Sequence, residues 1–160
     1  MFRKIAAGLA AIAGLVLAAC AATPEMTPSP VDGVSFRMVE TNGITLRVAE
    51  AGEGPLVVLV HGWPESWYSW RHQIPAIAAA GYRVVAPDMR GYGHSDRPAA
   101  VEDYDITHLT ADITGLIDAY GAEKAIVIGH DWGAIVTWNT ALLHPDRVSA
   151  MIAMSVPNGG

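Results

Sequence analysis

Residues 125–136 read Ala125-Ile126-Val127-Ile128-Gly129-His130-Asp131-Trp132-Gly133-Ala134-Ile135-Val136, and this stretch decides the fold. Ala125 to Ile128 is an unbroken apolar run of the length of a strand buried on both faces. Gly129 to Gly133 then predicts a sharp turn, and from Ala134 the pattern continues as a helix that ends near Leu143, before His144-Pro145. Glycines on both sides of the turn are expected to let the backbone bend tightly, so that the middle side chain, Asp131, stands out at the strand's carboxyl end. The residue after it can offer a backbone N–H at a helix N-terminus, where the helix dipole favours developing negative charge.

The pattern is that of a nucleophile elbow with Asp where Ser is commoner. A carboxylate needs no base to act as a nucleophile; it attacks saturated carbon and forms an ester that water must later cleave. That chemistry is alkyl transfer followed by hydrolysis. Taken alone, the five residues equally allow a turn in which Asp131 merely caps the following helix.

The chain has 160 residues, 51% of them apolar and 16% charged. That is enough for one domain with a sizeable core, and it excludes disorder and nucleic-acid binding as the main theme. With 10 basic and 16 acidic residues the net charge is −6, which speaks to solubility. No metal-ligand constellation is visible and no cofactor is expected.

The first twenty residues form a separate object. Arg3 and Lys4 precede an apolar run from Ile5, which closes on Leu17-Ala18-Ala19-Cys20; this predicts an export signal. The ending resembles a bacterial lipobox. The resemblance implies that Cys20, the only cysteine, becomes a lipidated first residue, and Ala21 after it implies the outer membrane, facing the periplasm. An ordinary cleaved signal or an uncleaved anchor is the alternative. Residues 21–33 are rich in Pro and Thr and read as a tether, and residues 34–160 as the folded domain.

Within that domain, Ser35 to Val39 and Ile44 to Glu50 alternate around Asn42-Gly43, predicting a hairpin. Leu56 to Val60 reads as a buried strand, and a helix is expected from about Ser66, with Trp67, Trp70, Ile74, Ile77 and Ala78 facing the core. Tyr82 to Ala86 predicts a strand, Asp88 to Pro98 a loop, Thr107 to Tyr120 a helix and Val148 to Val156 a last strand. Strands alternating with helices after a hairpin predict an α/β sheet, mostly parallel, with the site at the strands' carboxyl ends.

Four motifs occur in one order: His61-Gly62-Trp63-Pro64-Glu65-Ser66-Trp67-Tyr68-Ser69-Trp70-Arg71, Asp88-Met89-Arg90-Gly91-Tyr92-Gly93-His94-Ser95, Gly129-His130-Asp131-Trp132-Gly133 and His144-Pro145-Asp146-Arg147-Val148. Together they resemble the α/β-hydrolases, and in wording the epoxide hydrolases of that fold, over about Val34 to Pro157. The resemblance implies the first six strands of that fold, with Asp131 as nucleophile on an epoxide carbon. It also implies an oxyanion hole from the backbone N–H groups of Trp63 and Trp132, and a cis Trp63-Pro64 peptide. His61, Gly62, Pro64, Gly129, His130 and Gly133 support these motifs, His61 and His130 as structural histidines; Tyr92, Gly93 and Ser95 match a loop of structural role. Haloalkane dehalogenases also use an aspartyl nucleophile, and the Trp132 indole fits halide binding, but many carry Asn where this chain has Trp63.

Both chemistries need a later histidine and carboxylate. After Asp131 only His144 and Asp146 occur, and a 12-residue helix at 1.5 Å per residue puts His144 about 18 Å from the elbow. His72, His94 and His108 have no evident acid partner. The cap that such enzymes insert after the sixth strand is not recognisable either, so the expectation is an amino-terminal portion of a longer enzyme. Its substrate would be a small epoxide or alkyl halide, its membrane contact the lipid at Cys20. A non-catalytic truncated product is the other reading.

Overall fold

The computed structural model describes residues 27–157; Cys20 and the leader lie outside the described residues. The all-apolar run Leu56–Val60, buried throughout, is strand β4 in the interior of the sheet. Among the described residues there are seven strands: β1 (Thr27–Pro28), β2 (Ser35–Thr41), β3 (Ile44–Ala51), β4, β5 (Arg83–Pro87), β6 (Ala125–His130) and β7 (Val148–Met154), in spatial order β1-β2-β3-β5-β4-β6-β7. β5, β4, β6 and β7 run parallel, while β1, β2, β3 and β5 pair antiparallel.

The hairpin forms as its Asn-Gly predicts. Asn42 and Gly43 both have positive φ, 47° and 75°, and Thr41 pairs with Ile44 across a two-residue turn. β1 is additional to the six expected strands and lies inside the stretch expected to be tether: Thr27 and Pro28 pair with Phe36 and Ser35.

One helix departs from expectation. In place of a continuous helix from Ser66 there is a 3-10 turn, Trp67–Trp70, followed by α1 (Gln73–Ala79). Pro75 explains the break, because it lacks an N–H and its ring would collide with the carbonyl of Arg71. The apolar stripe survives: Trp67, Trp70 and Ile74 are buried against Val57, Leu59, Val84 and Ala86 on one sheet face. On the opposite face α2 (Ile106–Ala119) buries Leu109, Ile113, Leu116 and Ile117 against Val58, Val60, Val85 and Val127. Alternate residues of β4 thus feed two different cores. α3 (Trp132–Leu143) follows the elbow and packs on β6 and β7. Among the described residues β7 pairs only with β6, leaving Ile152 50% exposed.

Asp88 and Arg90 anchor the loop after β5. Asp88 is fully buried; its carboxylate accepts from Arg47 Nε at 2.9 Å and from the backbone N–H groups of Trp67 and His94 at 3.1 and 3.2 Å. Ser95 Oγ donates to the Asp88 carbonyl and accepts from the Arg47 N–H. Arg90 forms a two-pronged pair with Asp112 of α2, both contacts at 2.7 Å. These bonds fix a loop too rich in glycine to hold itself.

Candidate active site

β6 delivers the chain to Asp131, whose φ of 54° and ψ of −120° lie where residues with a Cβ seldom go. The strained residue is therefore the aspartate itself. Gly129 and Gly133 do not carry the positive φ, contrary to the expectation that they supply the bend. They are needed for close approach. A Cβ on Gly133 would stand 2.1 Å from the Val60 carbonyl oxygen, and one on Gly129 would stand 2.2 Å from the Gly133 oxygen. Helix, strand and neighbouring strand thus converge without side chains between them. Backbone bonds hold the turn on both sides, from Asp131 N–H to Met154 O at 3.2 Å and from Ala134 N–H to Asp131 O at 3.0 Å. A conformation this unfavourable persists only where its surroundings over-determine it.

The Asp131 side chain meets the loop after β4. Trp63 N–H donates to its Oδ1 at 3.0 Å, and that bond first, then the adjacent Trp132 N–H, holds the carboxyl below the ordinary carboxylate range. The Trp63-Pro64 peptide is cis. Gly62 lies against the aspartate, where an added Cβ would come within 2.7 Å of Oδ1. Glu65 braces the loop: its Oε2 accepts from Gly62 N–H at 3.1 Å, its own N–H donates to Gly62 O at 3.1 Å, and it lies 3.6 Å from His130 Nδ1. Trp63 and Trp132 stand open, 70% and 45% exposed. A cleft of about 280 Å³ lined by Glu65, Ser69, Trp70, Gln73, His130 and Met154 opens beside the elbow.

His61 is wholly buried and uses both ring nitrogens. Met89 N–H donates to Nε2 at 3.0 Å, and Nδ1 lies 2.8 Å from Gly62 O. Burial pushes its pKa down, against the charges of Asp88 and Glu65. Tyr92 packs edge-on against that ring at 5.0 Å; burial first, and then the charge of Asp131, push its phenol up.

The remaining histidines do not join this group. His144 ends α3, His72 begins α1, and His94 contributes its backbone N–H to Asp88. His108 does have an acid partner, correcting the expectation that it has none: its Nδ1 lies 2.8 Å from Asp105 Oδ1, which also accepts from His108 N–H and so caps α2. Asp105 was readable as an Asp placed directly before a helical stripe. Asp88 and Glu65 were the residues missed; an Asp following a buried strand and leading into a glycine-rich loop was the available signal for Asp88.

Comparison with known proteins identifies the family of the fold. Residues 55–159 match the model of the alpha/beta hydrolase fold. Over 123 residues the chain is 64% identical to epoxide hydrolase A of Mycobacterium tuberculosis, covering 76% of this chain and 38% of that relative. It superposes on the crystal structure of epoxide hydrolase A from Mycobacterium thermoresistibile with a TM-score of 0.73 at 67% identity, over 74% of this chain and 38% of that one. For an epoxide hydrolase from Vigna radiata the TM-score is 0.78 at 48% identity, over 81% and 41%. The chain therefore spans well under half the length of the relatives it matches. By its sheet, its strained elbow and the match over residues 55–159, this chain belongs to the α/β-hydrolase fold family.

Proposed function

We propose that the chain carries the nucleophile half of an epoxide hydrolase. An Asp131 carboxylate oxygen attacks an epoxide carbon. A new O–C bond forms, the ring C–O bond breaks, and the released alkoxide takes a proton from an acid. Water, deprotonated by a base, then adds to the ester carbonyl, and the tetrahedral oxyanion is held by the N–H groups of Trp63 and Trp132 before it collapses to diol and free carboxylate. The observation that carries this reading is the Asp131 carboxylate: ionised, on a strained elbow, with one oxygen already on the Trp63 N–H. The relatives' names favour epoxide over halide as substrate. Neither His144 nor Asp146 fits the base and its orienting acid, so complete turnover is assigned to a longer protein of which these residues are the amino-terminal part.

Incubation with a reactive epoxide followed by mass spectrometry tests this. The expected result is a mass gain of one epoxide on the peptide containing Asp131, lost in Asp131→Asn. Halide release from a bromoalkane with no epoxide adduct would transfer the reading to the dehalogenases. Absence of both reactions would favour a non-catalytic product.

We also propose export and lipidation at Cys20, supported by Arg3, Lys4 and the Leu17-Ala18-Ala19-Cys20 ending. Among the described residues no helix is long and apolar enough to cross a membrane. A clickable palmitate analogue should label the protein in bacteria, and Cys20→Ser should abolish both the label and outer-membrane fractionation; a labelled Cys20→Ser would refute the assignment.

A further inference from the structure

The Gly62 carbonyl and the Trp63 N–H belong to one peptide unit. That unit is trans, so its C=O and N–H point in opposite directions in one plane. The N–H end meets Asp131 Oδ1 at 3.0 Å. The carbonyl end meets His61 Nδ1 at 2.8 Å and Glu65 N–H at 3.1 Å. Whatever grips the carbonyl therefore aims the N–H. Which grip the imidazole can supply depends on its tautomer, and Met89 decides that: its N–H occupies Nε2 at 3.0 Å, so Nε2 must be the bare acceptor and the ring proton must sit on Nδ1. The ring cannot turn away, being fully buried with Tyr92 edge-on against it.

We propose that His61 is a positioning residue for the reaction: held as the neutral Nδ1–H tautomer by the Met89 N–H, it donates to the Gly62 carbonyl and thereby orients and polarises the Trp63 N–H of the oxyanion hole. This rests on the reading of Trp63 as an oxyanion donor. A carbonyl that accepts a hydrogen bond leaves its own peptide N–H a stronger donor, because bonds in a chain polarise one another. His61 never touches substrate. It acts across one peptide plane, and its link to Met89 ties that plane to the loop that Asp88 anchors.

Three measurements on the full chain decide it. Two-bond 1H–15N correlation on 15N-histidine protein should show the His61 proton on Nδ1; a proton on Nε2, or on both nitrogens at neutral pH, overturns the proposal without any mutation. The second measurement compares two variants of similar size. The amide of His61→Asn can reach the place of Nδ1 and still donate to Gly62, whereas that of His61→Gln reaches the place of Nε2 and cannot. The Asp131 carboxyl, followed by 13C NMR, should titrate about one pH unit higher in His61→Gln and near the unmutated value in His61→Asn. Third, the ester on Asp131 should decay about tenfold more slowly in His61→Gln than in His61→Asn. Equal behaviour of the two folded variants overturns the proposal, and if neither folds the tautomer measurement stands alone. The first two measurements need no epoxide. Failure to form any adduct would thus sink the proposed function and leave this inference to be judged on His61 and Asp131 alone.

Discussion

Asp88 and Asp131 occupy equivalent places, each directly after the carboxyl end of a parallel strand, β5 and β6. Each faces two backbone N–H groups: Asp88 accepts from Trp67 and His94, and Asp131 accepts from Trp63, with the Trp132 N–H also lowering its pKa. Each is pressed by a glycine that has no room for a side chain, Gly93 against Asp88 and Gly62 against Asp131. The difference lies in the remaining partner. Asp88 is fully buried and paired with the Arg47 guanidinium, whose NH2 group lies 2.8 Å from Oδ2. Among the described residues, the hydrogen bonds to the Asp131 side chain come from backbone N–H groups alone, and that residue is only partly covered. A cation that neutralises a carboxylate makes it a structural hub. Dipoles that hold one oxygen and leave the charge uncompensated keep it ionised and able to attack.

Exchanging these roles by mutation should give opposite phenotypes. Under the proposed function, Asp131→Asn should lower adduct formation with a reactive epoxide by roughly 10⁴-fold or more while leaving the melting curve close to the unmutated one. Asp88→Ala leaves a guanidinium without its partner and should cost about 3–5 kcal/mol in denaturant unfolding. A stable Asp88→Ala would mean that the Arg47 pair holds nothing. The Asp131 carboxylate also predicts a pH signature. Because the folded Asp131 carboxyl lies below its ordinary value of 3.8, its contribution to stability is complete above that value and is lost as pH falls through the folded one. Adduct formation should accordingly stay level from pH 7 down to about pH 4 and fall only below it; a fall that begins near neutrality would show that the N–H groups do not hold the charge.

The paired glycines sharpen the same contrast with a smaller effect. In Gly93→Ala the Cβ would stand 2.0 Å from Asp88 Oδ2 at a φ of 50°, and a buried, tethered carboxylate has nowhere to go, so about 2 kcal/mol of stability should be lost. In Gly62→Ala the Cβ would stand 2.6 Å from the Asp131 Cβ and 2.7 Å from Oδ1; turning the carboxyl toward solvent relieves only the second contact, so the partly exposed elbow must itself shift. The expected outcome is a smaller stability loss with adduct formation slowed about tenfold, since a misplacement of an ångström is costly in rate. Similar stability losses in both variants would erase the distinction between hub and proposed nucleophile.

What could be read in advance follows the range of the forces involved. The elbow was legible because an apolar strand, Gly-x-Asp-x-Gly and a helix are contiguous, and the hairpin because Asn42-Gly43 alone specifies its turn. The positive φ at Asp131 was not legible, since it is imposed by β4 and β7 through Val60 and Met154. The hub at Asp88 depends on Arg47, 41 residues earlier, and the His61 tautomer on Met89, 28 residues later; such partners leave no periodic trace in the chain. The break before α1 was legible in Pro75 but is easily overridden by the apolar stripe, which runs through it unchanged. β1 is too short and too proline-rich for any strand pattern.

The smallest expected effect concerns the helix behind the elbow, where two threonines one turn apart face different fates. Thr140 Oγ1 donates to Val136 O at 2.8 Å, the usual way a helical hydroxyl is satisfied. Thr137 Oγ1, equally buried, has no hydrogen-bond partner among the described residues, and it lies 2.3 Å from where a Cβ on Gly129 would be. The crowding that brings β6 against α3 and forces Asp131 outward has thus sealed a hydroxyl away from both water and carbonyl. Val keeps the shape and removes the unsatisfied group, so Thr137→Val should raise stability by about 1 kcal/mol, or roughly 3 °C in Tm. Thr140→Val gives up a made bond and should lower stability by a similar amount. Equal effects of one sign in the two variants would mean that the hydroxyl at 137 is satisfied after all, and that the elbow is less tightly closed than its glycines imply.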